Sequence, residues 1–323
     1  MRRLLPVSGV WTLLVLAPWI GEYLLGNIPL ELLPALPFLL PMYGGGALLI
    51  REVTRRTGRG WPTVLLLGGA YGLIEAGLVD QSMFNADFEQ TLFLARHTYV
   101  EALGLDVSNT LSFVFGHAVY SIATAVAFAE YLAPPALRRE PWLGPVGLAV
   151  TVVLYLLGCL IIYSDQVDEY GFVASAGQRA WTVVGALALV VLAFVPLRVL
   201  GVRREQAGWL PSPIALGGGC FAALGVTFAR PESWAGVALG GVLPVVVVGW
   251  LLVRWSTHPG WTVGHEHAVA VAALLTYAWG GFVLTGLVRP DDVLAWVGNA
   301  LFAVLAAGLA VVSRRRVVSV PPN

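Results

Sequence analysis

The sequence has no lysine, two cysteines and three methionines, and charged residues fill only 12% of its 323 positions. So little charge excludes the basic stripe that a nucleic-acid-binding surface needs. It also excludes an ordinary water-soluble domain, in which about a quarter of the residues are charged. Cys159 and Cys220 fall inside apolar stretches, far from any CxxC spacing, so neither a disulfide framework nor a thiolate metal site can be read. Also missing are a linker rich in Ser, Gly or Pro, a low-complexity tract, and any GxSxG, HExxH or P-loop motif. The chain therefore reads as one domain, 1–323, with no cofactor and no metal assigned.

What is present is apolar: 58% of the residues are hydrophobic and the mean hydropathy is +0.78. A helix crossing the hydrocarbon core needs about 20 mostly apolar residues. Ten stretches qualify: Val7–Gly26, Pro34–Ile50, Trp61–Val79, Asn109–Leu132, Trp142–Tyr163, Ala180–Leu200, Ile214–Ala229, Trp234–Val253, His265–Val288 and Val293–Ser313. The expected fold class is all-α, a polytopic transmembrane bundle of about ten helices. Positive charge favours cytoplasmic loops. With the amino terminus inside, 15 of the 19 arginines fall at or near the cytoplasmic face, and only Arg96, Arg179, Arg230 and Arg289 fall outside. Both termini are then cytoplasmic, and the expected location is the bacterial cytoplasmic membrane, crossed many times. Met1-Arg2-Arg3 and the apolar run after it resemble a secretory signal, but no small-residue cleavage site follows, so an uncut first helix is expected.

Ionisable residues inside membrane segments are costly and by default mark function. They concentrate in residues 1–145, the candidate site-bearing half, whereas 146–323 is mainly Val, Leu, Ala and Gly and reads as a packing half. Glu75 lies within Tyr71-Gly72-Leu73-Ile74-Glu75-Ala76-Gly77-Leu78; Glu22, Asp80 and His117 raise the same question. The alternating topology puts all four in the outer half of the membrane or at its rim. Tyr71 and Glu75 share a helix face, as do Phe113, His117 and Tyr120 or Ser121. A carboxylic acid, an imidazole and aromatic rings can thus line one cleft, the parts of a general-acid site. The bland alternative for each is a hydrogen bond to a neighbouring helix.

Pro34, Pro37, Pro41 and Gly44-Gly45-Gly46 predict a kinked or partly unwound second helix beside a cavity, or else tight packing. Ile214–Ala229 is short enough to be thin, tilted or re-entrant, and Asp80–Ser108 is expected to cover the helices or lie in the interface. Glu130 reads as a snorkelling interfacial residue. Asp165-Gln166-Val167-Asp168-Glu169 reads as an acidic loop. His265-Glu266-His267 has the residue types of a metal site, but i and i+2 point apart on a helix, and Glu266 suits a helix start.

Three blocks carry a resemblance: Tyr43-Gly44-Gly45-Gly46-Ala47-Leu48-Leu49-Ile50-Arg51-Glu52 running into Gly60-Trp61-Pro62; Tyr71 to Leu78; and His117-Ala118-Val119-Tyr120-Ser121-Ile122 with Glu130 and Pro141-Trp142-Leu143-Gly144. Together they resemble a widespread family of poorly characterised bacterial and archaeal polytopic membrane proteins. Relatives read Glu-Glu-Gly-Leu where this chain has Glu75-Ala76-Gly77-Leu78, so the second carboxylate is lost here. Glu75 followed by Phe113-Val114-Phe115-Gly116-His117 also resembles the Glu-Glu-x-x-x-Arg and Phe-x-x-x-His motifs of CAAX-processing-type intramembrane proteases, with Ala76 in place of the second Glu and no Arg at the required place.

In architecture and acidic helices the chain is similar to the small membrane-bound terpene cyclases of actinobacteria that cyclise prenylated indoles or diketopiperazines. That resemblance implies metal-independent, acid-initiated cyclisation of a lipophilic prenylated small molecule. Glu75 or Glu22 would be the acid, Asp80 would reload or orient it, and His117 would position it or take the final proton. Tyr71, Phe113, Tyr120, Trp19 and Tyr23 would stabilise the moving cation through their ring faces. A proton-coupled or small-molecule transporter remains the alternative, since intramembrane glutamates and a broken helix serve it equally.

Overall fold

The computed structural model describes residues 7–85, 87–88, 97–196 and 208–318. It is 77% helical, with a single antiparallel pair of two-residue strands, Tyr99–Val100 (β1) and Leu105–Asp106 (β2), among these residues. Ten helical segments coincide with the ten expected stretches: α1 (7–23), α2 (Leu30–Arg56), α3 (Trp61–Val79), α4 (Val107–Leu132), α5 (Pro145–Tyr170), α6 (Ala176–Ala193), α7 (Pro213–Phe228), α8 (Gly236–Trp255), α9 (Val263–Val288) and α10 (Val293–Val318). Eight of them are long and apolar enough to span a membrane. The exceptions are α1 and α7; at 16 residues, α7 is a regular helix of about 24 Å. The protein is a multi-pass helical membrane bundle.

The helices differ in how much they bury. At least half of the apolar stretch of α2, α3, α4 and α9 is enclosed by protein, against 11–28% for α5, α6, α8 and α10. An inner group, completed by α1, is thus wrapped by helices whose Leu and Val side chains face outward. Close approach inside it depends on small residues. A Cβ on Gly44 would lie 2.5 Å from the Leu14 carbonyl oxygen, and one on Gly72 would lie 2.9 Å from the His117 Cβ. The Gly44-Gly45-Gly46 run is therefore a contact surface, and α2 stays helical through it.

The expected kink has a specific form. Pro41 lacks an N–H, which removes one ladder bond, and Leu40–Gly44 widens into a π-helical turn. Pro18 likewise precedes the π turn Trp19–Tyr23. Two more follow at Glu75–Val79 and His117–Thr124, where the Thr124 hydroxyl donates to the Val119 carbonyl at 2.7 Å.

At the arginine-rich end, α2, α4 and the segment after α4 are joined by buried charge. Arg51 and Glu52 are both 0% exposed. Arg51 Nε lies 3.0 Å from Glu130, and Arg55 Nη2 lies 2.7 Å from it. Glu52 accepts the Trp142 and Leu143 backbone N–H groups at 2.7 and 3.2 Å, and the Arg51 guanidinium lies 3.4 Å from the centre of the Trp142 ring. Glu130 therefore does not snorkel; two arginines and the protein around them hold it in place. Asp165 to Glu169 are likewise not in a loop but in the last turns of α5.

Of Asp80–Ser108, residues 86 and 89–96 lie outside the described residues. So do Arg2, Arg3, Arg96, Arg198, Arg203 and Arg204 among the residues used to orient the chain. The described part of the segment makes a turn at Gln81–Asn85 and the β1/β2 pair, with Asp106 accepting from Asn109 to cap α4. His265, Glu266 and His267 do not converge: His265 completes the Thr262 cap, Glu266 pairs with Arg139, and His267 bonds Ser313. No group able to hold a metal occurs among the described residues.

Removing one member of a buried ion pair strands the other charge, at a cost of about 3–5 kcal/mol. We expect Glu130→Ala to lower the thermal unfolding midpoint of detergent-purified protein sharply. An unchanged midpoint would show that the network contributes nothing to stability.

Candidate functional site

At the end opposite the arginines lies a cavity of ≈ 1070 Å³. It is lined by the carboxyl-terminal parts of α1, α3, α5, α7 and α9 and the amino-terminal parts of α2 and α4, as strictly alternating helix directions require. Its polar floor is made by Glu22, Tyr43, Glu75 and His117. Each of these four residues lies in a different π-helical turn. A π turn inserts an extra residue and swings the following side chains by about 100° around the axis. Such turns occur frequently at functional sites, and here four meet at one point.

The Tyr43 hydroxyl is the hub. It lies 2.5 Å from Glu22 Oε1, 3.2 Å from Glu75 Oε1 and 3.3 Å from His117 Nε2. Glu75 Oε2 lies 3.1 Å from His117 Nε2, and Asn27 donates to Glu22 Oε2 at 3.2 Å. His117 Nδ1 faces the Phe113 carbonyl at 2.7 Å. A carbonyl only accepts, so Nδ1 carries hydrogen, and Nε2 lies within reach of both the Tyr43 hydroxyl and Glu75. With one proton shared between Glu75 and His117, that pair carries no net charge. Tyr43 has one hydrogen to donate, and Glu22 is its nearest acceptor. The cluster is therefore neutral when Glu22 is protonated and carries one negative charge when it is not, a state made costly by the low-dielectric surroundings. With that pair neutral, the proton on Glu22 sets the charge of the cluster.

Glu22, Glu75 and His117 are thus brought together as one unit, with Glu22 half-buried toward the cavity and Glu75 only 4% exposed behind it. Asp80 lines the same cavity, where its carboxylate accepts from the Ser82 N–H at 2.9 Å. Phe113 and Tyr120 form part of the wall, and Tyr120 stacks on Tyr277 at 3.7 Å. Tyr71 lies outside the lining but packs its ring 5.8 Å from that of His117 and 6.1 Å from that of Tyr43. Trp19 and Tyr23 point elsewhere: both pack edge-on against Phe302 of α10, and the Tyr23 hydroxyl bonds the Leu32 carbonyl. The π turn that aims Glu22 at the cavity leaves its aromatic neighbours on the far face.

Tyr43 was not among the residues singled out from sequence, although it opens the block Tyr43-Gly44-Gly45-Gly46; a tyrosine beside a proline kink and a glycine run was the available signal. Contributions from the carboxyl-terminal half were missed as well. Asp165 and Gln166 of α5 and Arg230 and Glu232 after α7 lie at the rim. Arg230 donates to the Thr227 carbonyl at 2.7 Å, to the Ser108 carbonyl at 2.6 Å and to the Ser112 hydroxyl at 2.8 Å. Burial raises the Glu232 carboxyl above its ordinary range and the nearby Asp106 adds to this, while burial lowers Arg230.

A family model described as an uncharacterized membrane protein family matches residues 12–321, and the chain belongs to that family. No curated protein and no solved structure matches the chain.

Infrared difference spectra in water and deuterium oxide test the proton count. We expect a protonated-carboxyl band at neutral pH that shifts on deuteration and disappears in Glu22→Gln. A band that survives that substitution places the stored proton elsewhere.

Proposed function

We propose that this member of an uncharacterized membrane protein family is a membrane-bound enzyme that protonates a lipophilic small molecule, and that protonation starts the cyclisation of a prenylated substrate. The supporting observation is the Glu22–Tyr43–Glu75–His117 chain, an exchangeable proton at the floor of a cavity with largely apolar and aromatic walls. Glu22 is the donor, because of the two carboxyls in that chain it is the more open to the cavity, half-buried where Glu75 is only 4% exposed. Its proton adds to the less substituted carbon of a terminal alkene, or to an epoxide oxygen. The resulting carbocation is attacked by a second π bond of the same molecule, which closes a ring. The cyclised cation then loses a C–H proton, which returns to ionised Glu22 directly or by relay through the Tyr43 hydroxyl, so a purely alkene substrate is isomerised with no net consumption of acid. Phe113 and Tyr120 offer ring faces to the cation.

One observation favours transport as a second reading. The cavity is open at one end, while the other end of the inner bundle is closed by the buried ion pairs of Arg51, Arg55 and Glu130, an arrangement that suits an outward-facing carrier. A protease is less well supported: Ala76 occupies the position of a second acid, and His117 is the only histidine lining the cavity among the described residues.

Membranes containing the protein, incubated in deuterium oxide with linear prenylated indoles and diketopiperazines, should yield a cyclised isomer carrying one deuterium. General-acid catalysis contributes about 10²–10⁴-fold, so Glu22→Gln should lower turnover by that factor while leaving membrane expression intact. Full activity in Glu22→Gln sinks this assignment. Unchanged substrate together with its accumulation in proteoliposomes under a proton gradient supports the carrier instead.

A further inference from the structure

We infer that the occupant of this cavity is an amphiphile with a positively charged amine head and an aliphatic tail, and that it reaches the site sideways from the lipid. The inference rests on the reading of the cavity as the substrate site, and it names the substrate class.

The lining carries five acidic side chains, Glu22, Glu75, Asp80, Asp165 and Glu232, against two basic ones, His117 and Arg230; with Glu22 protonated and Glu75 paired with His117, Asp80, Asp165 and Glu232 still outnumber Arg230. Neither basic group is free to receive an anion. His117 is bound to Glu75 and to the Phe113 carbonyl. Arg230 spends both terminal nitrogens on neutral acceptors, the Thr227 and Ser108 carbonyls and the Ser112 hydroxyl, and its Nε, which has no hydrogen-bond partner among the described residues, is buried on the side facing α8, where a Cβ on Gly241 would lie 3.5 Å away. The helix ends add to the same field, since five carboxyl termini and two amino termini line the cavity and a carboxyl terminus is the negative end of the helix dipole. At Glu232 burial and Asp106 disfavour the charged form while His97 and Arg230 favour it, so it is the excess of acidic groups over the cavity as a whole that lacks a partner. A cation supplies that partner, and the faces of Phe88, Phe113 and Tyr120 are additional favourable contacts for it.

The tail is indicated by where the wall ends. Phe38 on α2, Ile161 on α5 and Leu287 on α9 line the cavity and are 64%, 51% and 69% exposed. These helices span the membrane by length and composition, so the apolar wall these exposed residues form is where an aliphatic tail passes between the cavity and the acyl chains.

The test compares three probes with one C15 chain, farnesylamine, farnesol and farnesoic acid, binding to the full chain in nanodiscs of zwitterionic lipid, with protein-free nanodiscs as the partition background. We expect the amine to bind at least about tenfold tighter than the alcohol, a difference of about 1.4 kcal/mol, and the acid not to compete. Asp165→Asn combined with Glu232→Gln should weaken amine binding severalfold at an unchanged melting temperature. Equal affinity for amine and alcohol, competition by the acid, or full amine affinity in a folded double variant overturns the inference. Equal affinity with intact deuterium incorporation removes the amine head and leaves proton transfer standing. Amine selectivity without deuterium incorporation from any prenylated substrate does the reverse.

Discussion

A carboxylate withdrawn from water has to find hydrogen-bond donors and a compensating charge close by, and this bundle is organised around two places where that requirement is met. At one end Glu52 and Glu130 are held by Arg51, Arg55 and the backbone N–H groups of Trp142 and Leu143. At the other, Glu22 and Glu75 share Tyr43 and His117. The two solutions differ in kind. Guanidinium groups remain charged throughout the accessible pH range, so the first cluster is a fixed lock. The second is built from groups that exchange protons, so its charge can change. Both span α2 and α4, and the lock holds the ends of those helices from which Tyr43 and His117 are positioned.

The π turns explain how four helices deliver polar groups to one point without unwinding. Each exchanges the better hydrogen-bond geometry of an α-helix for one extra residue and a rotated face. Two of them adjoin prolines that had already removed a backbone donor, so the local cost is small there. The glycines complete the arrangement from the opposite side: Gly72 lets His117 lie directly on α3, and Gly44 lets α2 lie on α1. A side chain at Gly44 would push α2, which carries Tyr43, away from α1, which carries Glu22, and one at Gly72 would push His117 away from α3, which carries Glu75.

Within the cluster, position separates roles that composition makes equivalent. Glu22 and Glu75 are both intramembrane glutamates near the cavity ends of their helices, yet Glu22 is half-buried and Glu75 is only 4% exposed, against His117. The loss of a second acid at Ala76 therefore does not leave Glu75 alone, because Glu22 is brought in from a helix more than fifty residues earlier in the chain. The rim is assembled over a comparable distance, with Asp165 and Glu232 joining Asp80 from the half of the sequence that reads as apolar packing.

Hydropathy alone determined the helical class, the positions of ten segments and their alternating direction, because a lipid solvent accepts only long apolar helices with internally satisfied backbones. Acid at one end and arginine at the other was legible for the same reason, and so were Glu22, Glu75 and His117 as residues too costly to be incidental. Sequence periodicity could not follow the faces beyond Pro18 and Pro41, because a π turn breaks the 3.6-residue repeat on which such reasoning rests. This is why Trp19 and Tyr23 were expected at the site and Tyr43 was not. Only tertiary structure decided that Glu130 is locked between arginines, that Asp165 ends a helix at the cavity rim, and that Tyr43 joins two distant glutamates. Those relations are distances between helices, and no local pattern in the chain encodes them.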